Sequence, residues 1–106
     1  MRRAAKVDDN QPLIVLTFRK LGWSVECLHA VGGGVPDLLI GKMGFNFLVE
    51  VKDGKKPPSK RKLNADQVEW HEKWRGQACV IETVEQAMAF HAEKTREIIA
   101  MRTGLK

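Results

Sequence analysis

Apolar residues recur at close to helical intervals in NQPLIVLTFRKL (10–21), where Leu13, Leu16 and Leu21 interleave with Ile14 and Phe18. This spacing predicts a first helix. Pro12 is tolerated only in its first turn, Asn10 is placed to cap it, and Gly22 stands where a helix end takes a left-handed residue. WSVECL (23–28) then reads as a strand. Gly32, Gly33 and Gly34 make a flexible turn that allows close backbone approach. DLLIG (37–41) is a short, strongly apolar strand, and FNFLVEV (45–51) a third that runs on into Lys52. The tight turn at Lys42–Gly44 makes these two a hairpin.

DGKKPPSKRK (53–62) has the composition of an exposed loop. Asn64 followed three residues later by Gln67 is a capping-box pattern and opens a second helix. Its apolar surface comes from Val68, Trp70 and Trp74, with the tryptophans expected to face the core, and Gly76 closes it. ACVIE (78–82) is a fourth strand. Thr83 with Gln86 repeats the capping pattern and opens a last helix to about residue 101, with Ala87, Met88, Phe90, Ile98 and Met101 as its apolar positions. The order αβββαβα predicts one α/β domain over residues 1–106, with a central sheet flanked by helices. Residues 1–7 read as a tail ahead of it.

Composition narrows the function classes. At 106 residues there is room for one core. No apolar run approaches the roughly 20 residues of a membrane helix, and no apolar stretch follows Arg2 and Arg3 as in a secretory signal. Cys27 and Cys79 lack zinc-site spacing and read as reduced core residues of a cytoplasmic protein. His29, His71 and His91 have no partner at ligand spacing and read as structural or surface residues, and Trp23 as core or interface. The net charge of +5 admits a polyanionic partner.

The candidate chemistry lies in Asp37 and Glu50-Val51-Lys52. Side chains alternate along a strand, so Glu50 and Lys52 share one face while Val51 packs in the core. Asp37, at the head of the neighbouring strand after Pro36, can converge with Glu50 if the strands pair. Two carboxylates and the Val51 carbonyl are hard oxygen ligands that suit Mg²⁺ or Mn²⁺. Lys52 beside them can orient a water or stabilise developing charge. Acting as a base would require a lowered pKa. An isolated ExK is more often a solvent-facing strand pair. Here it ends an apolar strand 13 residues after the Pro-Asp and is followed at once by a basic loop.

GVPDLLIG followed by FLVEVKDG, with Gln67 on the next helix, resembles the PD-(D/E)XK nuclease superfamily. Within it the chain is similar to the small stand-alone virus-type replication-repair nucleases (VRR-NUC), over roughly residues 8–84. The resemblance implies a restriction-endonuclease-like fold around a mixed four-stranded sheet and Mg²⁺- or Mn²⁺-dependent hydrolysis of DNA. It implies metal ligation by Asp37, Glu50 and the Val51 carbonyl, catalysis by Lys52, and a place near the site for Gln67, orienting water or phosphate. Many relatives carry a glutamate on the first helix. Here that region reads Asp8-Asp9-Asn10-Gln11, where Asp9 could serve as a ligand, Asn10 and Gln11 could give weaker neutral contacts, or the acids could simply complement the helix dipole.

From Lys52 to Lys62, six of eleven residues are basic. Lys55, Lys56, Lys60, Arg61 and Lys62, next to the candidate site, suit the phosphate backbone without reading sequence. With one site and no reading helix, the expectation is an endonuclease of branched DNA such as a four-way (Holliday) junction. Cutting both strands symmetrically would require a homodimer. Related small nucleases suggest roles in junction resolution, fork repair or phage DNA processing. The alternatives are a nuclease of ordinary duplex or nicked DNA, a non-catalytic DNA-binding module of the same fold, and a basic scaffold without a nucleic-acid role.

Overall fold

The computed structural model describes residues 7–104. Residues 1–6 of the expected tail lie outside the described residues. Helix α1 (Gln11–Lys20) leads into β1 (Ser24–Cys27), β2 (Leu38–Lys42) and β3 (Phe45–Val51). A single 3₁₀ turn (Pro58–Lys60) and α2 (Ala65–Lys73) connect to β4 (Ala78–Ile81), and α3 (Val84–Thr103) closes the chain. The sheet order is β1-β2-β3-β4, so each strand lies beside its sequence neighbour. The first two pairings are antiparallel and the third is parallel. The parallel pairing requires a crossover, and the basic segment with α2 supplies it. The result is an α/β domain with a mixed four-stranded sheet flanked by helices.

The β2–β3 hairpin turns on Met43 (φ 54°) and Gly44 (φ 84°), both in the left-handed region that a two-residue hairpin loop demands. The Arg102 guanidinium donates to the Met43 carbonyl and ties the end of α3 to this turn. The register pairs Leu38 with Val49 and Ile40 with Phe47. Leu38, Ile40, Phe47, Val49, Val51 and Ile81 pack against Ile14, Val15 and Phe18 of α1 and Ala87 and Phe90 of α3. Phe18, Trp23, Phe47 and Phe90 lock this layer by edge-on contacts, the tightest being Phe47–Phe90 at 5.1 Å and 89°. Because Val49 and Val51 are committed to this layer, alternation sends Glu50 to the opposite face of the sheet.

Several expectations are corrected. Asn10 does not cap α1: its side chain makes no capping bond and instead donates to the carbonyls of Lys52 and Glu82, each at 3.0 Å. The buried face of α1 is Gln11, Ile14, Val15 and Phe18, a regular i, i+3, i+4, i+7 stripe that leaves Leu13 and Leu16 exposed. On α3, Ala87, Phe90 and Ile98 are buried while Met88 and Met101 point outward. Cys27 is exposed at the end of the edge strand. Cys79 is only half-buried, and burial pushes its thiol up to about 11.

The largest departure concerns α2, where Gln67 is the one buried residue. Trp74 is 45% exposed and Trp70 half-buried, so the pair does not enter the core. The helix ends at Trp74, whose extended backbone stops it two residues before Gly76. Polar contacts and the glycine-rich turn hold this helix in place of an apolar face. A Cβ on Gly34 (φ +86°) would collide with the Asp66 carbonyl, so the turn lies directly on the first turn of α2. No helix among the described residues is long and apolar enough to cross a membrane.

Candidate functional site

Asp37 enters β2 from the Pro36 turn, where its carbonyl accepts the Leu28 N–H at 2.6 Å. Its side chain is 4% exposed and Oδ2 accepts the Val51 N–H at 2.8 Å. That bond pins the aspartate to the end of β3, next to Glu50. Glu50 is 2% exposed, and its carboxyl lies within hydrogen-bonding reach of that of Asp37. The expected convergence of the two acids is therefore present, produced by the antiparallel β2–β3 register.

Gln67 completes the cluster from α2. The capping box is formed in both directions: Asn64 Oδ1 accepts the Gln67 N–H, and Gln67 Oε1 accepts the Asn64 N–H, both at 2.9 Å. The same Oε1 also accepts from Lys52 Nζ at 2.9 Å. The amide nitrogen then faces the other way and donates to Glu50 Oε2 at 3.1 Å. Lys52 Nζ lies 3.8 Å from that oxygen. Asp37, Glu50, Lys52 and Gln67 thus form one connected constellation.

Burial is the main force on Glu50. Together with the hydrogen bond and charge of Asp37, and the more distant charge of Asp8, it outweighs the Lys52 ammonium and pushes the carboxyl up to about 9. Without a cation, Glu50 therefore keeps its proton well above the ordinary carboxylate range. Glu50 Oε1 is also buried with no hydrogen-bond donor bonded to it. Converging carboxyl oxygens of this kind have the chemistry that a hard divalent cation takes. Among the described residues, no third Asp, Glu, His or Cys joins them as a ligand set.

At the first helix, the acid that influences the site is Asp8 rather than Asp9. Asp8 raises the Glu50 pKa and pairs with Lys56 at 3.4 Å, whereas Asp9 is exposed. Asn10 clamps the ends of β3 and β4, and its Oδ1 and Gln11 Oε1 are buried without partners. The role of Asn10 had no sequence signal beyond a short amide before a helix.

The basic segment divides in two. Lys56 is held by Asp8. Arg61 is held by Glu82 at 3.2 Å and by the Lys56 carbonyl at 2.7 Å, so both fix the loop against the fold. Lys55, Lys60 and Lys62 are exposed. Asp53, which no sequence motif singles out, is buried and accepts the Lys55 N–H at 3.0 Å, shaping the start of the loop. His71 faces the Gln67 carbonyl at 2.9 Å. His91 bonds the Trp23 indole at 3.0 Å; burial and then the Lys42 charge lower its pKa. No family model, curated protein or solved structure matches the chain.

Proposed function

We propose that this chain is a metal-dependent DNA endonuclease of the PD-(D/E)XK type, acting on branched DNA. The observation that carries the reading is the buried Asp37–Glu50 carboxyl pair with Lys52 tethered beside it through Gln67. The element order α1-β1-β2-β3-α2-β4-α3 supports a restriction-endonuclease-like topology.

Asp37, Glu50 and the Val51 carbonyl would hold Mg²⁺ or Mn²⁺, with the unpartnered Oε1 of Glu50 as one ligand atom. When bound, such a cation supplies Lewis acidity and neutralises charge at a phosphoryl oxygen. Lys52 carries a donor to the reacting phosphate or to the attacking water. Gln67 fixes the direction of that ammonium, and its bond to Glu50 orients the carboxylate. Lys55, Lys60 and Lys62 would lie along the phosphate backbone and contribute affinity without sequence readout. A homodimer would supply the two sites that symmetric cutting requires.

A second reading, a non-catalytic DNA-binding module, is favoured by one observation: no third acidic side chain joins the pair among the described residues. Cleavage of a synthetic four-way junction and a matched linear duplex, with Mg²⁺ and with chelator, separates the two. Metal-dependent cutting of the junction in preference to the duplex supports the nuclease on branched DNA. Equal cutting removes the structure selectivity. Binding with no cutting supports the module.

A further inference from the structure

Trp70 and Trp74 form an aromatic platform on the surface. Their ring centroids are 4.9 Å apart and their planes differ by 19°. Beside them lies a cavity of about 270 Å³ lined by Gly33, Asp66, Glu69, Trp70, Lys73 and Trp74. A smaller recess of about 120 Å³ shares Gly33 and Asp66 with it and reaches Gln67. The two hollows therefore follow one another along α2 from Gln67 to the tryptophans. We infer that the Trp70–Trp74 platform and its cavity hold an unpaired nucleobase of the strand being cut, an inference that rests on the nuclease reading above.

The chemistry of the lining favours a base over a phosphate. Indole faces stack on any base, whatever its identity. Asp66 and Glu69 offer acceptors only, which match the amino and ring N–H groups of a base and repel phosphate oxygens. Lys73 pairs with Glu69 at 3.2 Å, and with Asp66 the lining keeps a net negative charge that disfavours an anion.

Position points the same way. Gln67, Trp70 and Trp74 follow one another at helical spacings of three and four residues. A rise of 1.5 Å per residue places the Cα atoms of Trp70 and Trp74 roughly 4.5 and 10.5 Å along the helix from that of Gln67. That is about one to three nucleotides at the 3.4 Å spacing of a stacked strand. The platform is also pre-organised. A Cβ on Gly76 would come within 2.8 Å of the Trp74 indole, so the chain leaving α2 is pressed against the ring and holds it.

The test is the affinity of the whole protein, in chelator, for three DNA probes: a flap with a single-stranded arm, the same flap with an abasic arm, and a fully paired duplex. Wild type is expected to prefer the base-bearing arm. Trp74→Ala is expected to weaken that probe by roughly 5- to 150-fold while leaving the abasic flap and the duplex unchanged. Equal affinity of wild type for the two flaps overturns the inference, without relying on how the variant folds. Uniform weakening by Trp74→Ala with an altered sedimentation coefficient also overturns it and makes the platform a protein contact. Duplex binding without arm preference removes the inference alone, whereas binding of none of the probes removes the nuclease reading with it.

Discussion

The side-chain amide of Gln67 donates to Oε2 of Glu50 across 3.1 Å, and this bond joins a helix cap to the acidic pair on the sheet. The opposite end of the amide accepts from both Lys52 and the Asn64 backbone. One residue therefore caps the start of a helix, orients a carboxyl and aims an ammonium. Its amide orientation is determined by the network, because Oε1 meets two donors and Nε2 meets an acceptor.

Replacing Gln67 with Ala leaves Lys52 only the 3.8 Å approach to Glu50. Single-turnover cleavage should slow by roughly 10- to 100-fold, as when a partner that orients a metal ligand is lost. DNA affinity in chelator should stay near wild type, since Gln67 carries no charge. An unchanged cleavage rate would show that Lys52 needs no such guide.

Glu50 gives the metal-free protein a pH signature. Its carboxyl is held at about 9 against an ordinary 4.5. The folded state thus binds more protons than the unfolded chain between those values, and stability falls as pH rises through that window. Denaturant melts in chelator should show this decline, and Glu50→Gln should flatten it. Metal binding near pH 8 should release protons, visible as calorimetric heats that change with buffer ionisation enthalpy. Buffer-independent heats would mean that the cation does not meet Glu50.

The first-helix acids should behave differently. Asp8→Asn removes a charge that raises the Glu50 pKa and that holds Lys56. Metal affinity should change in this variant, while Asp9→Asn should match wild type because Asp9 is exposed. The reverse ranking, measured by metal titration of both variants, would place Asp9 at the site instead.

Gly34 offers a test of how α2 is seated. Alanine there would need a left-handed backbone and a collision with the Asp66 carbonyl. The cost should be about 2–4 kcal/mol, measured by chemical denaturation. A near-neutral Gly34→Ala would mean that the glycine turn can move away from the helix.

The central sheet and the acid pair were legible because both follow strong local rules. Strand alternation placed Val51 in the core layer and Glu50 on the opposite face of the sheet, and the Asn64–Gln67 spacing announced the start of α2. The fate of the tryptophans was not legible. A Trp-x-x-x-Trp stripe reads as core when helices dock by apolar faces, but α2 docks through Gln67 and the Gly34 turn. Asn10 was misread for a similar reason: a short amide before a helix can cap it or reach elsewhere, and the carbonyls of Lys52 and Glu82 are distant in sequence. The choice between Asp8 and Asp9 depended on an irregular turn that no periodicity describes.

The most direct test of the nuclease itself is single-turnover cleavage of a four-way junction with Mg²⁺ by wild type and by Glu50→Gln. This substitution preserves size and burial while removing the charge a cation requires. The account predicts cutting by wild type and a loss of at least about 100-fold in the variant, consistent with the loss of a major electrostatic contribution, with junction binding in chelator retained. Equal cutting by the two proteins, or no cutting by wild type with Mg²⁺ or Mn²⁺, would contradict it.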